Sequence, residues 1–261
     1  MRVADSNKSA TVLRALSVLE FLASTRRGRS VADVAEGIAA DRSTAYRMLM
    51  TLLEAGYVTR DESLQSYRLG YRLLSLTKNL LTEGDRSRLV SQALARISDR
   101  TGETVHYCVH DGDATVLVQR VKGTQLVAVD FQIGDRSPLH CASIGKVILA
   151  FQDARKLEQI IAKGLSRVAA KTIVDPALFR KEMEKIRRQG YAFDDQEFHD
   201  DMRCVAVPIF ETDGTVRSGI SLSGPASRYT IAKLDQLRVE AAEAARELSR
   251  QLGGDLTAAA P

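Results

Sequence analysis

A histidine, a cysteine, a serine and a lysine lie close together in the segment PLHCASIGKVILAFQ, residues 138–152. Ser143 and Lys146 are one helical turn apart, the spacing of nucleophile and general base in some acyl-transferring enzymes. Those enzymes also carry an S-D-N and a K-T-G element, which this sequence lacks. A second partial match, GISLS at 219–223, has Ser223 where the hydrolase motif G-x-S-x-G requires its last glycine. The two patterns therefore predict no catalytic residue.

The same segment can bind an anion. The apolar residues after Ser143 predict a helix that begins there, and the first N–H groups of a helix have no partner within it. The amides of Ser143 and Ile144, together with the positive end of the helix dipole, can therefore be directed at a carboxylate.

His106, Cys108 and His110 alternate along a β-rich run, so that on a strand they would share one face. Nitrogen and sulfur ligands of this kind suit a transition metal. Neighbours on one face of a strand are about 7 Å apart, however, which is too far for all three to bind one ion easily. We therefore expect pocket lining or plain sheet surface here, and no metal or cofactor.

The chain has 261 residues, enough for two domains of ordinary size. Its hydrophobic content of 44% supports a real core, and its charged content of 27% is typical of a soluble protein. The three cysteines form no CxxC pair, which predicts reduced thiols. The N-terminus lacks a signal-peptide core, and no apolar run reaches the roughly 18–20 residues of a membrane span. We expect a cytoplasmic protein.

The net charge of +4 is unevenly distributed. Residues 1–84 hold 12 Lys and Arg against 9 Asp and Glu, whereas the remainder is nearly neutral. A basic N-terminal module beside a neutral remainder indicates nucleic-acid binding at one end.

The elements that would position this module are short helices followed by a hairpin. Apolar spacing predicts helices at 11–24, 30–39 and 42–55. Ser30 and Asp41 are the expected N-caps of the second and third helices. Together with the tight turns between them, these helices form the pattern of a helix-turn-helix, and the polar-tipped segment YVTRDESLQSYRLG predicts the wing of a winged helix.

The third helix is amphipathic, which leaves Ser43, Thr44 and Arg47 exposed near its start. A recognition helix holds its first turns against base edges in the major groove. We expect Arg47 to pair with a guanine, and Ser43 and Thr44 to reach bases or phosphates. Basic residues at the helix start and on the wing are better placed for phosphates: Arg42, Arg60 and Arg68.

The rest of the chain predicts a second domain of α/β pattern. We expect a DNA-binding domain at 1–69, a linker helix at 70–85, the second domain at 86–253 and a tail at 254–261. Besides helices, the second domain contains β-rich runs at 104–110, 114–121 and 125–131, and a hairpin near 203–210 and 215–223. The fold class is therefore α+β, with an antiparallel sheet in the second domain.

Small and polar residues share one face of the predicted hairpin. Ser221 and Ser223 are two apart on one strand, so their hydroxyls lie on the same side, and Cys204 shares a face with Ala206 on the other strand. Such a face leaves room for a ligand, and Asp195 is placed to accept a hydrogen bond from it.

Three segments behind the helix-turn-helix, LHCASIGKVILA, GYAFDDQEFHDDMRCVAVPIF and SGISLSGPASRYT, resemble the IclR-type bacterial transcriptional regulators. The resemblance covers nearly the whole chain and implies a winged helix, a linker helix and a GAF-like effector domain. It also implies dimers, often paired into tetramers, on palindromic DNA operators. The positions matching those that line the family's effector pocket are Ser143, Ile144, Asp195, Cys204, Ser221 and Ser223.

One position departs from the family pattern: Asp201 stands where members often carry glycine. A carboxylate near the pocket mouth would disfavour anionic effectors or reshape the loop. The leading hypothesis is a homo-oligomeric regulator that binds double-stranded DNA and a small organic catabolite, carboxylic or aromatic. The alternative is a small-molecule hydrolase or metal-binding enzyme fused to a winged helix.

Overall fold

The computed structural model describes residues 8–25, 27–81 and 84–255. The chain divides into two compact units, Met1–Thr82 and Glu83–Pro261. Of the predicted linker helix at 70–85, the part at Arg72–Leu81 forms a helix of the first unit, and Gly84 begins the first helix of the second. Within the described ranges, no helix combines the length and the apolarity that a membrane crossing needs.

The N-terminal unit has the predicted helix-turn-helix and wing. Its described elements are α1 (Ala10–Ala23), α2 (Val31–Gly37), α3 (Arg42–Glu54), β1 (Val58–Asp61), β2 (Ser66–Leu69) and α4 (Arg72–Leu81). Ser30 and Asp33 form a reciprocal capping box at the start of α2. Asp41 caps α3 by accepting the N–H of Thr44 at 2.8 Å. Both predicted N-caps are therefore confirmed.

The core of this unit lies between α1, α2, α3 and the β1–β2 hairpin. Its most deeply buried side chains include Val18 of α1, Leu49 of α3 and Tyr67 of β2. Three apolar side chains of α1 lie outside this core and are about half exposed: Val12 at 56%, Leu13 at 50% and Leu16 at 49%.

The C-terminal unit is built on a six-stranded antiparallel sheet whose strand order is β5-β4-β3-β8-β7-β6. Its strands are β3 (Val105–Asp111), β4 (Ala114–Val121), β5 (Arg136–Pro138), β6 (Ala192–Asp195), β7 (Met202–Phe210) and β8 (Val216–Pro225). Its helices are α5 (Gly84–Thr101), α6 (Ser143–Ala150), α7 (Ala154–Lys163), α8 (Pro176–Gln189) and α9 (Ile231–Gln251). The α+β class and the antiparallel sheet are confirmed.

Two apolar cores flank this sheet. One includes Leu94 of α5 and Leu237 of α9, packed against strand residues such as Val205. The other includes Ile148 of α6 and Phe179 of α8. The sheet is therefore covered by helices on both faces, and α6 lies inside the second core with all eight of its residues buried.

The segment at 125–131 forms no strand, although its composition predicted one. The short strand β5 takes the position beside β4, so this segment has no neighbour to pair with, and Leu126 is fully exposed at 101%. It crosses as irregular chain and brings Phe131 against the second core. The short edge strand β6, by contrast, had not been predicted.

Candidate functional site

The exposed side of α3 is the candidate DNA interface. Arg42, Ser43 and Arg47 are exposed there, as the sequence predicted. Thr44 is buried, and its hydroxyl donates to the Asp41 carboxylate at 2.7 Å. Thr44 thus stabilises the start of the helix and is not free to reach a base. Tyr46, which the sequence pattern did not single out, is 49% exposed beside Arg47 and adds an aromatic surface to this face.

The wing holds its two arginines differently. Arg68 is exposed on β2. Arg60 is partly buried, donates to the Gln65 side chain, and stacks its guanidinium 5.8 Å from the centre of the Tyr67 ring. Arg60 is therefore fixed along the hairpin, whereas Arg68 offers its charge to the solvent.

The C-terminal unit contains a cavity of about 30 Å³ between the sheet, the start of α6 and the loops that precede β5 and β7. Five of the six predicted effector residues line it: Ser143, Ile144, Cys204, Ser221 and Ser223. His106 and Cys108, for which the sequence left pocket lining or plain sheet surface open, line it as well, and the structure adds Phe131, Phe198 and Met202.

The start of α6 presents free N–H groups to this cavity. Ala142 is the N-cap residue and supplies no side-chain cap, so the first amides of the helix are not satisfied by a local oxygen. Ser143 and Ile144 are 2% and 5% exposed. Glycine at position 145 lets the start of α6 lie close to the backbone of Pro138, because a Cβ there would collide with the carbonyl oxygen of Pro138. Buried, uncapped helix amides favour an anion.

The sheet side of the cavity is polar. Ser223 lies opposite Cys204 in the β7–β8 ladder, and Ser221 lies opposite His106 in the β3–β8 ladder. The Cys204 thiol is surrounded by Ser223, Ser143 and Asp194, and burial raises its pKa well above the usual value. Cys204 therefore stays a neutral thiol and is not a nucleophile.

The structure does not bring Asp195 into the cavity. Its carboxylate forms ion pairs with Arg203 at 2.5 Å and Lys171 at 3.0 Å, and it is 40% exposed. The residue before it on β6, Asp194, is fully buried and lies opposite Cys204 in the ladder. Burial raises the pKa of Asp194 to about 7, and one of its oxygens has no hydrogen-bond partner among the described residues. Asp194 is thus the inward member of the pair.

Lys146 has a structural partner. Its ammonium is completely buried and lies 2.5 Å from Glu197, with Glu182 3.7 Å away. This ion pair explains the Ser143–Lys146 spacing without any catalytic role, since the lysine is bound to a carboxylate. Two further residues of the segment 138–152 have no catalytic role either. The ring of His140 bonds the Ser166 carbonyl at 2.9 Å. Burial raises the pKa of Cys141 to about 12, so this thiol stays neutral.

The alternating His106, Cys108 and His110 do not act together. His106 and Cys108 line the cavity, whereas the ring of His110 bonds the carbonyl of Gly112 at 2.9 Å. No cluster of His, Cys, Asp and Glu in residues 8–25, 27–81 and 84–255 is arranged to hold a metal ion. Asp201 is exposed and does not line the cavity either.

Two family models match the chain. The IclR helix-turn-helix domain matches residues 11–62, and the C-terminal domain of bacterial transcriptional regulator IclR matches residues 59–250. The HTH-type transcriptional regulator BhcR of Paracoccus denitrificans is 33% identical over 249 residues, which cover 94% of this chain and 88% of BhcR.

Solved structures agree with these matches. The crystal structure of the Thermotoga maritima IclR has a TM-score of 0.77 at 33% identity, and the match covers 93% of this chain and 98% of that one. An IclR homologue from Microbacterium hydrocarbonoxydans, complexed with 4-hydroxybenzoate, also has a TM-score of 0.77, at 25% identity over 93% of this chain and 99% of its own.

Proposed function

The chain belongs to the IclR family of bacterial transcriptional regulators, and from this premise we propose that a small organic acid in the α6 cavity controls its binding to a palindromic operator. Family membership makes the protein a DNA-binding regulator and not an enzyme, since the relatives are named transcriptional regulators and repressors. The observation that carries the proposal is the cavity, which is lined by buried, uncapped helix amides and by serine hydroxyls.

A carboxylate is the ligand group that this cavity suits best. The first amides of α6 and the hydroxyls of Ser143, Ser221 and Ser223 are donors that a carboxylate can accept from. Phe131 and Phe198 add an apolar wall for the rest of the molecule. The complex of the Microbacterium homologue with 4-hydroxybenzoate supports an effector of this kind. We assign no effector contact to Asp195, because its carboxylate is bound by Arg203 and Lys171.

On the DNA side, we assign base recognition to Arg47 and Ser43 and phosphate contacts to Arg42, Arg60 and Arg68. The exposure of Arg47 near the start of α3 supports the first assignment, because that turn enters the major groove in helix-turn-helix proteins. Thr44 acts through the helix cap. We place the protein in the cytoplasm, where it meets the operator.

A palindromic operator is matched by a two-fold symmetric protein. The half-exposed apolar side chains of α1, Val12, Leu13 and Leu16, support a homodimer, and pairs of dimers would extend it to a tetramer.

The test combines effector binding with operator binding. We would screen carboxylic acids and aromatic catabolites by thermal shift, since a ligand that binds only the native state raises its apparent stability. The acid with the largest shift is then titrated in an operator gel shift. The double variant Ser221→Ala with Ser223→Ala should need a higher acid concentration for the same change in operator binding, and exposed Ser227→Ala is the control. An identical dose–response curve for the double variant would exclude the cavity as the effector site.

A further inference from the structure

His106 is a buried polar side chain without a partner. It is 2% exposed on β3, and neither ring nitrogen has a hydrogen-bond partner in the part of the chain that the structure describes. Buried polar groups in folded proteins are nearly always hydrogen-bonded. The ring also lines the cavity. The ring therefore has hydrogen-bonding capacity left for a molecule that enters this space.

The ring of His106 is held in place by its neighbours. Phe131 packs against it edge to face with centroids 5.7 Å apart, and Phe198 stacks on Phe131 at 6.2 Å. Ser221 lies opposite His106 in the ladder on one side, and Arg120 lies opposite it on the other. The guanidinium of Arg120 donates to the Asp130 carboxylate and to the carbonyl oxygen of Phe131. Arg120 is therefore already paired and is not the partner of a ligand carboxylate.

The charge state of His106 determines what it can bind. Burial, with a smaller contribution from the charge of Arg120, lowers the pKa of His106 to about 4. At neutral pH the ring is uncharged, with one N–H donor and one bare nitrogen acceptor. An uncharged ring does not compensate a second carboxylate, but a hydroxyl can bond it in either tautomer, as donor or as acceptor.

We propose that His106 selects the effector, and that the effector is a hydroxy acid whose hydroxyl hydrogen-bonds the His106 ring while its carboxylate occupies the start of α6. The proposal rests on the proposed function, because it takes the cavity to be the effector site. One compact cavity is lined by His106 and by Ser143, so a small molecule that binds one of them meets the other.

Matched pairs of probe acids test this selection. Isothermal titration of the full chain compares lactate with propionate and 4-hydroxybenzoate with benzoate; the members of each pair differ only by the hydroxyl. We expect the hydroxylated member of at least one pair to bind about tenfold more tightly, the worth of one good hydrogen bond. In His106→Phe, which keeps an aromatic ring against Phe131, that preference should disappear, and in His106→Gln part of it should remain.

His110→Phe is the matched control, because this histidine is on the same strand but bonds Gly112 outside the cavity, and it should keep the full preference. Circular dichroism melts establish that each variant folds. Should His106→Phe not fold, the ring nitrogens of His106 in the unaltered protein give the answer by 15N NMR: the hydroxy acid should move their signals and its deoxy partner should not.

The outcomes separate the two proposals. If acids bind but neither pair shows a preference, or if the preference survives in His106→Phe, the effector site stands and the role of His106 is wrong. Unmoved ring nitrogen signals in the presence of a bound hydroxy acid would likewise overturn it, leaving a buried water as the partner of the ring. If no acid of the panel binds at all, the acid-effector proposal fails, and the selection by His106 fails with it.

Discussion

Lys146 and Glu197 form an ion pair that is almost completely withdrawn from water, with side-chain exposures of 0% and 10%. Removing one partner of a buried pair leaves an uncompensated charge, at a cost of about 3–5 kcal/mol. Lys146 therefore stabilises the buried position of α6. This ion pair explains the lysine at that spacing from Ser143 without a catalytic base. The carboxylates beside it bear on the pH dependence of stability.

Asp194 and His106 give opposite contributions to that pH dependence. Burial raises the pKa of Asp194 from 3.8 to about 7, so between these values the folded state keeps a proton that the unfolded state has lost. Stability due to this group falls as pH rises, by about 1.4 kcal/mol per pH unit at the steepest. Burial lowers the pKa of His106 from 6.5 to about 4, so between pH 4 and 6.5 its contribution rises with pH by a similar amount.

Single variants should expose each contribution. Relative to the unaltered protein, the free energy of unfolding of Asp194→Asn should increase as pH rises from 4 to 7. That of His106→Asn should decrease over pH 4 to 6.5. Urea unfolding at several pH values measures both differences.

The neighbouring Asp195→Asn is the control. Although partial burial opposes it, Arg203 and Lys171 lower the pKa of Asp195, so its difference from the unaltered protein should be flat between pH 5 and 7. If Asp194→Asn gave the same flat difference, the carboxyl of Asp194 would not hold its proton at neutral pH.

These two aspartates also mark the limit of prediction at the residue scale. Hydroxyls two apart on a hairpin identify Ser221 and Ser223 as sharing a face, because strand alternation is fixed once the strand is recognised. In AFDD the strand is short and carries no alternating pattern, so the sequence analysis chose Asp195, whereas it is Asp194 that lies opposite Cys204. His106 was visible as one of an alternating set, but only the fold separates it from His110.

At the scale of elements, helices were easier to predict than strands. The N-caps Ser30 and Asp41 are local signals, and the caps form because the oxygens needed lie within three residues of the amides they satisfy. A strand requires a neighbour, and the segment at 125–131 has none, since β5 occupies the place beside β4. The β-rich composition of that segment could not reveal which strand would take the edge.

The start of α6 depends on a glycine, which gives a prediction about the element. A Cβ at position 145 would collide with backbone atoms of Pro138 and Leu139, which cannot rotate away. Alanine favours a helix by about 1 kcal/mol over glycine, but overpacking a core costs roughly 1–3 kcal/mol or more. We expect Gly145→Ala to destabilise the C-terminal unit and, by displacing the amides of Ser143 and Ile144, to weaken acid binding. Urea unfolding and isothermal titration measure the two effects.

Gly37→Ala provides the comparison. It is also a helical glycine, but the atoms that a Cβ would meet belong to the ring of Phe21, a side chain that can turn aside. Its loss of stability should be smaller and confined to the N-terminal unit. Equal losses in the two variants would show that close backbone approach at α6 is not what requires glycine.

At the scale of the whole molecule, we assign effector binding to the C-terminal unit and DNA binding to the N-terminal unit. Regulation requires that binding at one of these sites changes the affinity at the other. An effector that changes operator affinity by some factor must itself bind more tightly or weakly by that same factor when the operator is present. The proposed effector site and the proposed DNA contacts lie in different units, so this coupling can be measured by titrating either ligand at a saturating concentration of the other.

Two arginines of the N-terminal unit should affect DNA binding in distinguishable ways. A bidentate contact from Arg47 to a guanine discriminates against a wrong base by about 1–3 kcal/mol, whereas a phosphate contact from Arg68 carries no sequence information. Arg47→Ala should therefore weaken binding to the operator much more than to unrelated DNA.

Arg68→Ala should weaken both alike and make the dependence of log affinity on log salt concentration shallower by about 0.9 for each phosphate that the protein no longer neutralises. Gel-shift titrations on operator and unrelated duplexes at several salt concentrations separate these effects. Each half of the proposed palindromic operator would meet one copy of α3, so a change of the contacted guanine in one half-site should cost the Arg47→Ala variant less than it costs the unaltered protein. If Arg47→Ala changed only the salt dependence and kept its preference for the operator, Arg47 would be a phosphate contact, and base recognition would have to come from Ser43 or from the exposed Tyr46 beside it.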